Sequence, residues 1–471
     1  MTGTRRFLAA LLVLTMTAFG CSADGEKDRR AGGEGTAGGR ASDDGGGDTG
    51  ATGDGSRSDP SGTGTGTATP GDGSSTGGPT GGPSGGGGTS GTGGNAGGGS
   101  EASLQPRRPP GWRVIAKAPI KGRHSHSAVW TGTEMIVWGG AARAGNAPLY
   151  LADGAAYDPA TDKWRKLPES PLGPRADHFA AWTGAEMLIW GGNPGLATAF
   201  GNNEFADGAA YDPARNNWRP IARFPLAARF ATRVVWSGKV MVVWGGARAE
   251  DGEDAPPLAD GAAYDPGADR WTALPEGPLA GRLSPLAAAV DGDVLISWGF
   301  NRDPGQALDG ARFDPEAKTW APIAPVPATD SAWCFDLAGC VGVDAGSRVI
   351  FAGEGLVYDI PSDRWAPVAT SPLADPFRDG KAHAWTGNRV VLWGGGRYTS
   401  EADAPPNEVP ADPAGMTYDP AADRWTPLPP SPIPSRARTR GVWTGGEFIV
   451  WGGESAFQQR IEHADGAAWT P

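Results

Sequence analysis

Six arginines recur along the chain, five of them at one spacing. Arg123, Arg175, Arg229, Arg378 and Arg436 each stand seven residues ahead of a tryptophan, and Arg282 stands eight ahead of Val290. A guanidinium is a planar fork that grips a carboxylate with two hydrogen bonds. The set is therefore a group of ligand-binding candidates for something anionic. A second recurring residue, the Asp of an Asp-Gly pair, offers five of them an internal partner: Asp153, Asp207, Asp260, Asp309 and Asp465. Structural pairing and ligand contact are both open, and they are compatible. Arg378 differs, because Ala414-Gly415 stands where the other repeats have Asp-Gly. It is the best single candidate for ligand contact, with Arg436 and Arg123 in the repeats that follow.

Other reactive residues read less richly. His126 and His178 each fall four residues before a tryptophan, which suggests one repeated structural position and not a catalytic pair. Aspartates in the recurring DPxxDxW segments suit caps on tight turns better than calcium ligands. Cys334 and Cys340 flank FDLAG and are expected to form a disulfide, given an oxidising setting. No Ser-His-Asp order, phosphate-binding glycine loop or zinc spacing is evident. No catalytic residue, metal or cofactor is expected, and an enzyme is not the favoured reading.

The chain's 471 residues include 76 glycines and 43 prolines, about a quarter of the total, and they are unevenly placed. Residues 31–100 hold no Trp, Tyr, Phe, Leu, Ile, Val or Cys, so no core can form there. The net charge of −12 argues against a nucleic-acid partner, whose phosphates need a basic face. At the start, Arg5 and Arg6 precede an apolar run from Phe7 to Phe19, too short to span a bilayer and suited to an export signal. The run leads through Gly20 to Cys21 and resembles a bacterial lipoprotein signal, which implies acylation of Cys21. The expected organisation is a signal peptide over 1–20, a disordered Gly/Ser/Thr-rich tether over 21–105 and a folded unit over 106–471.

Beyond residue 105 a repeat of about fifty residues governs the sequence. Trp112, Trp164, Trp218, Trp271, Trp320, Trp365 and Trp425 mark it, and Tyr157, Tyr211, Tyr264, Phe313, Tyr358 and Tyr418 each stand seven residues before one of the last six. Pairs of short apolar runs complete the unit, as in HSAVWTGTEMIVWGG and TRGVWTGGEFIVWGG. The runs are β-branched and aromatic, and Thr-Gly, Gly-Gly and Asp-Pro punctuate them as turns. Each repeat thus reads as four strands: A ending in WTG, B ending in WGG, C as GAAYD and D as WRKLP or its equivalents. Four antiparallel strands in about fifty residues make a β-propeller blade.

The double glycine after strand B, the tyrosine of C and the tryptophan of D together resemble the kelch-repeat family, in the superfamily of galactose oxidase. Repeats four and five depart from the pattern, with Val290 for the first Trp of one and Ala352 for the second Trp of the other. The last repeat stops at GAAWTP without a strand D, while Gly111 to Pro119 supplies a strand D with nothing before it. Lending it to the last blade closes the ring and removes an orphan edge. The expected fold is all-β: a seven-bladed β-propeller of four-stranded antiparallel blades, closed by an N-terminal strand. A–B and C–D turns share one face and are monotonous; B–C and D–A loops share the other and vary, which suits recognition. The resemblance places strand A innermost and the arginines around the channel mouth. A copper-radical oxidase is poorly matched, since five of the seven tyrosines serve strand C and only Tyr150 and Tyr398 remain.

The resulting expectation is an exported, lipid-anchored monomer acting as a protein- or glycan-binding module at the bacterial cell envelope, an anionic partner being one that the arginines would suit and the N-terminal lipid its only membrane contact. The alternative is an extracytoplasmic carbohydrate-active enzyme, sialic-acid mutarotase-like or oxidase-like, on the same scaffold.

Overall fold

The computed structural model describes residues 108–145, 147–194, 204–251, 255–297, 308–327, 342–351, 355–369, 371–372, 378–397, 415–455 and 461–471. The segments read as signal and tether, together with Cys21, Cys334, Cys340, Tyr398 and Ala414, lie outside them.

Seven four-stranded antiparallel sheets follow one another. Blade 1 is Ser127–Trp130, Met135–Trp138, Gly154–Asp158 and Lys163–Lys166. Blade 2 repeats this with Phe179–Trp182, Met187–Trp190, Gly208–Asp212 and Asn217–Pro220, and blade 3 with Arg233–Trp236, Met241–Trp244, Gly261–Asp265 and Arg270–Ala273. The divergent repeats are blades too. Blade 4 is Leu286–Val290, Asp293–Ser297, Gly310–Asp314 and Thr319–Ile323; blade 5 is Val343–Asp344, Arg348–Phe351, Leu356–Asp359 and Arg364–Pro367. Blade 6 has Arg378–Trp385, Val390–Arg397, Gly415–Asp419 and Arg424–Pro427. Blade 7 takes Arg440–Trp443, Phe448–Trp451 and Gly466–Thr470 from the end of the chain and Gly111–Val114 from ahead of blade 1, with Trp112 opposite Trp469. The strands A of neighbouring blades approach one another, so A is the inner strand.

One residue type recurs at every joint between blades. In blades 1 to 6 the strand-D tryptophan packs on the Tyr or Phe of its own strand C, as Trp164 does on Tyr157 at 5.0 Å, and in blades 1, 2, 3, 4 and 7 against the strand-B tryptophan of the preceding blade, as Trp164 does on Trp451 at 5.6 Å. Its indole N–H then donates to a carbonyl just beyond strand D of that preceding blade. The series is Trp164 to Ala116, Trp218 to Pro168, Trp271 to Ala222, Trp320 to Pro275, Trp365 to Ala324, Trp425 to Ala369 and Trp112 to Pro429, all at 2.7–3.2 Å. This circle closes only because Trp112 stands in blade 7. Each aromatic pair is worth about 0.5–1.5 kcal/mol beyond its area, and an indole hydrogen bond about as much again.

The C–D turns complete the joint. The first Asp of each turn caps it, as Asp158 Oδ1 does by accepting from Ala160 N at 2.8 Å. The second, Asp162, has φ of 54°, a left-handed conformation that Asp and Asn tolerate. Its carboxylate accepts from the Tyr157 hydroxyl at 2.6 Å and from Ala116 N of blade 7 at 2.9 Å. Asp269, Asp363 and Asp423 repeat both bonds. The sequence reading of these aspartates as turn residues is what the structure shows.

Candidate functional site

On the opposite face the recurring arginines are built into the scaffold. Arg123 Nη1 donates to Gly139 O and Asp153 O, both at 3.0 Å, and lies 2.8 Å from Asp153 Oδ1. Arg175 holds Asp207 with both arms of its fork, at 2.7 and 3.2 Å. Arg229 pairs with Asp260 at 2.9 Å, Arg282 with Asp309 at 3.0 Å and Arg436 with Asp465 at 3.0 Å. The arginine side chains are 0–1% exposed and their aspartates 42–58%. Burial lowers the affinity of Arg123, Arg282 and Arg436 for their protons, and the neighbouring carboxylate opposes it.

These partners lie at the outer ends of strands B and C, so the side chains reach outward from strand A instead of lining the channel mouth. The backbone carbonyls of Arg123, Arg175, Arg282 and Arg436 meanwhile serve the preceding blade. Gly140 N donates to Arg175 O, Gly246 N to Arg282 O, Gly395 N to Arg436 O and Gly453 N to Arg123 O, at 2.7–2.9 Å. Here the double glycine is required: Gly139 and Gly140 have φ of 66° and 97°, and a Cβ on Gly140 would lie 2.6 Å from His124 O. The pairing expected from the Asp-Gly motif is thus present in five blades, and the surface that solvent meets there is carboxylate, not guanidinium. Arg378 opposes Arg397 in the blade 6 ladder as Arg229 opposes Arg248 in blade 3. Its side chain lies outside the described residues.

His126 and His178 occupy one repeated position, as expected. His126 packs edge-on against Trp451 at 5.2 Å, and His178 against Trp138 at 5.0 Å. Burial, with nearby Arg175 and Arg440, drives His178 down to about 3; burial first and then Arg440 and Arg123 lower His126 as well. Both are neutral packing groups at ordinary pH.

Around the channel mouth, the residue two after each recurring arginine is left-handed: Ser125, Asp177, Ala231, Ser284, Gly380 and Arg438. Their backbones link blade to blade, with Ser125 N donating to Arg438 O at 3.2 Å, Asp177 N to Ser125 O at 3.1 Å and Ser284 N to Ala231 O at 2.7 Å. Over blades 7, 1 and 2 this rim gathers titratable groups. Glu454 lies between His124 at 3.8 Å and Arg438 at 3.6 Å. Tyr150, at the end of the hairpin Ala141–Ala144/Ala147–Tyr150, is raised by burial and by Asp177, while Arg438 opposes the shift. Burial and Asp177 push the Glu204 carboxyl up to about 7. This rim, with the hairpins that flank it, is the candidate site.

Two features escaped the sequence reading. On the uniform face, Arg113, Arg165 and Arg219 pair with Glu447, Glu134 and Glu186 at 2.6–2.9 Å, and each donates to the strand-C tyrosine of the next blade. Recurrence of Glu in WTGTE, WTGAE and WTGGE, with Arg after the strand-D tryptophan in the same three repeats, was the signal. The second is a correction. No Ser-His-Asp arrangement is evident along the chain, yet Ser455 Oγ lies 2.7 Å from His463 Nε2, and His463 Nδ1 lies 3.6 Å from Asp465 Oδ1. A hairpin pairing Glu454–Ser455 with Ile461–Glu462 folds the three together.

Comparisons with known proteins agree with this architecture. Residues 112–278 match the KLHDC2/KLHL20/DRC7 Kelch-repeats domain. Relatives include Kelch-like protein terF of Aspergillus terreus, 26% identical over 63% of this chain and 65% of that one, and human Kelch-like protein 34, 25% identical over 60% and 43%. N-acetylneuraminate epimerase 1 of Escherichia coli is 23% identical over 40% of this chain and 58% of the enzyme. The chain therefore spans less than two thirds of the length of each. Repeat spacing and ring closure make it a seven-bladed β-propeller, and its repeats are similar to those of kelch proteins.

Proposed function

We propose that this propeller is a protein-binding module that presents the B–C/D–A face, centred on the rim over blades 7, 1 and 2, to a partner at the bacterial cell envelope. The difference between the two faces carries the reading. One face consists of short turns whose repeated side chains are taken up by bonds between blades, whereas the other, though its backbone also links blade to blade, varies in sequence and displays hairpins and charge. The sequence of the leader supports export and acylation of Cys21, with residues 22–105 as a polar leash. For a Gly-rich chain of this length the mean reach is roughly 50 Å. Arg378 is the recurring arginine proposed to contact a ligand, because its repeat encodes no aspartate for it.

Envelope proteins captured by the propeller test this. Asp177→Lys should lose the partner and Thr133→Lys, in an A–B turn of the other face, should keep it; the reverse would contradict the reading. Replacement of Cys21 by Ser should release the chain from membranes, and unchanged fractionation would remove the anchor from the account. A second reading rests on the resemblance to N-acetylneuraminate epimerase 1: a sugar-active site on the same rim. Accelerated exchange of N-acetylneuraminate anomers, followed by NMR, would favour it over the binding module.

A further inference from the structure

We infer that Ser455, His463 and Asp465 form a nucleophilic site in blade 7, and that it takes a carboxylic ester. The inference is independent of the binding role. Its first support is geometry. Ser455 Oγ and His463 Nε2 are 2.7 Å apart, the distance of a nucleophile already bonded to its base. In the tautomer that carries its proton on Nδ1, the nitrogen 3.6 Å from the Asp465 carboxylate, Nε2 accepts from the Ser455 hydroxyl. Asp465 is itself fixed by Arg436 at 3.0 Å, and it supplies field and orientation to the ring more than a full hydrogen bond.

The second support comes from the repeat. The backbone N–H of His463 donates to Gly453 O, as Leu151 does to Gly140 O, Phe205 to Gly192 O and Leu258 to Gly246 O. The position two before the Asp-Gly aspartate is thus apolar in blades 1, 2 and 3, and blade 7 replaces it with histidine. The partner position, two after the second glycine, is Ala142, Pro194 and Arg248 in those blades and Ser455 in blade 7. One blade has exchanged a packing residue for a base and set a hydroxyl against it. Ser455 is half-exposed, and the His463 side chain is 17% exposed, so a substrate can reach the pair.

The chemistry balances without a further reagent. Ser455 Oγ attacks the acyl carbon as its proton passes to His463 Nε2; the bond from that carbon to the alcohol oxygen breaks, and the proton leaves with the alcohol. Water then adds to the acyl-serine, giving its proton to Nε2, and the bond from Oγ to the acyl carbon breaks as Oγ takes the proton back and the carboxylic acid departs. Burial and Arg436 lower His463, with Asp465 opposing, so the base is neutral and ready at pH 7.

A fluorophosphonate probe on the intact protein, with the labelled peptide located by mass spectrometry, tests this. Label on Ser455, lost in Ser455→Ala and slowed about 100-fold in His463→Leu, is expected. Leucine is the residue that blades 1 and 3 carry at this position, so that variant should keep its fold. The labelling rate should also rise with pH to a midpoint below 6.5. Absence of label on Ser455 at saturating probe, or a His463→Leu rate equal to that of the unmodified chain, would overturn the site.

Discussion

The two faces of the ring use the same residue types to opposite ends. On the A–B/C–D face, Trp, Tyr and Asp recur at fixed spacing, and each bond is copied from blade to blade until the circle closes at Trp112 and Pro429. On the B–C/D–A face the copying stops at the arginine–aspartate pairs; beyond them each blade differs, and blades 7, 1 and 2 place His124, Glu454, Arg438, Tyr150 and Glu204 around one rim. Repetition marks what holds the ring, and departure from it marks what the ring carries.

The largest effect should come from opening the circle. A chain beginning at Lys121 lacks the strand that pairs with Gly466–Thr470 and loses Trp112 from its place against Trp393. The cost should exceed the ~3–5 kcal/mol of one large core truncation. Calorimetry of chains starting at Lys121 and at Ser103 checks it; equal melting temperatures would break the closed ring.

Acid should come next. His126 and His178 stay neutral in the folded state well below the unfolded value of about 6.5. Above pH 6.5 neither state binds the extra proton, and stability from these groups is level. Below it the unfolded chain takes protons that the buried rings refuse, so stability falls as pH drops from 6.5 toward the His178 value of about 3. For His178 the loss is on the order of 4 kcal/mol at the acid end, and His126 adds to it in the same direction. Changing both to Thr, the residue that blades 3 and 7 carry at this position as Thr232 and Thr439, should flatten that limb in chemical denaturation measured against pH.

Arg175→Ala should cost about 3 kcal/mol, because it strips Asp207 of its buried partner and leaves Gly191 O without its donor. Arg378→Ala should leave the melting temperature nearly unchanged while weakening any anionic ligand. A ranking in which Arg378→Ala destabilises more than Arg175→Ala would return Arg378 to the scaffold. Trp218→Phe should cost less than Arg175→Ala, about 1 kcal/mol, because it keeps a ring against Trp138 but removes the donor to Pro168 O.

The fold was legible because packing between blades imposes the same residue at the same place seven times. Even blades 4 and 5, where Val290 and Ala352 replace tryptophans, keep Phe313–Trp320 and Tyr358–Trp365 as the aromatic pair. The arginine–aspartate pairing was legible for the same reason, though not the direction of the side chains, which depends on where strands B and C end. The rim was not legible. His124 and Glu454 stand at backbone positions that the blades repeat but fill with other side chains, Ala176 and Ala437 for the first and Ala141 and Asn193 for the second, and spacing says nothing about which side chains meet. Ser455 and His463 illustrate this best, since eight residues and a hairpin separate two groups that touch.

The division between a locking face and a working face is tested most directly by measuring stability and partner capture on the same two variants, Trp218→Phe and Asp177→Lys. The account predicts that Trp218→Phe lowers the melting temperature and leaves capture intact, and that Asp177→Lys abolishes capture with little change in melting. Loss of capture from Trp218→Phe at a temperature where it is still folded, with Asp177→Lys binding normally, would contradict it.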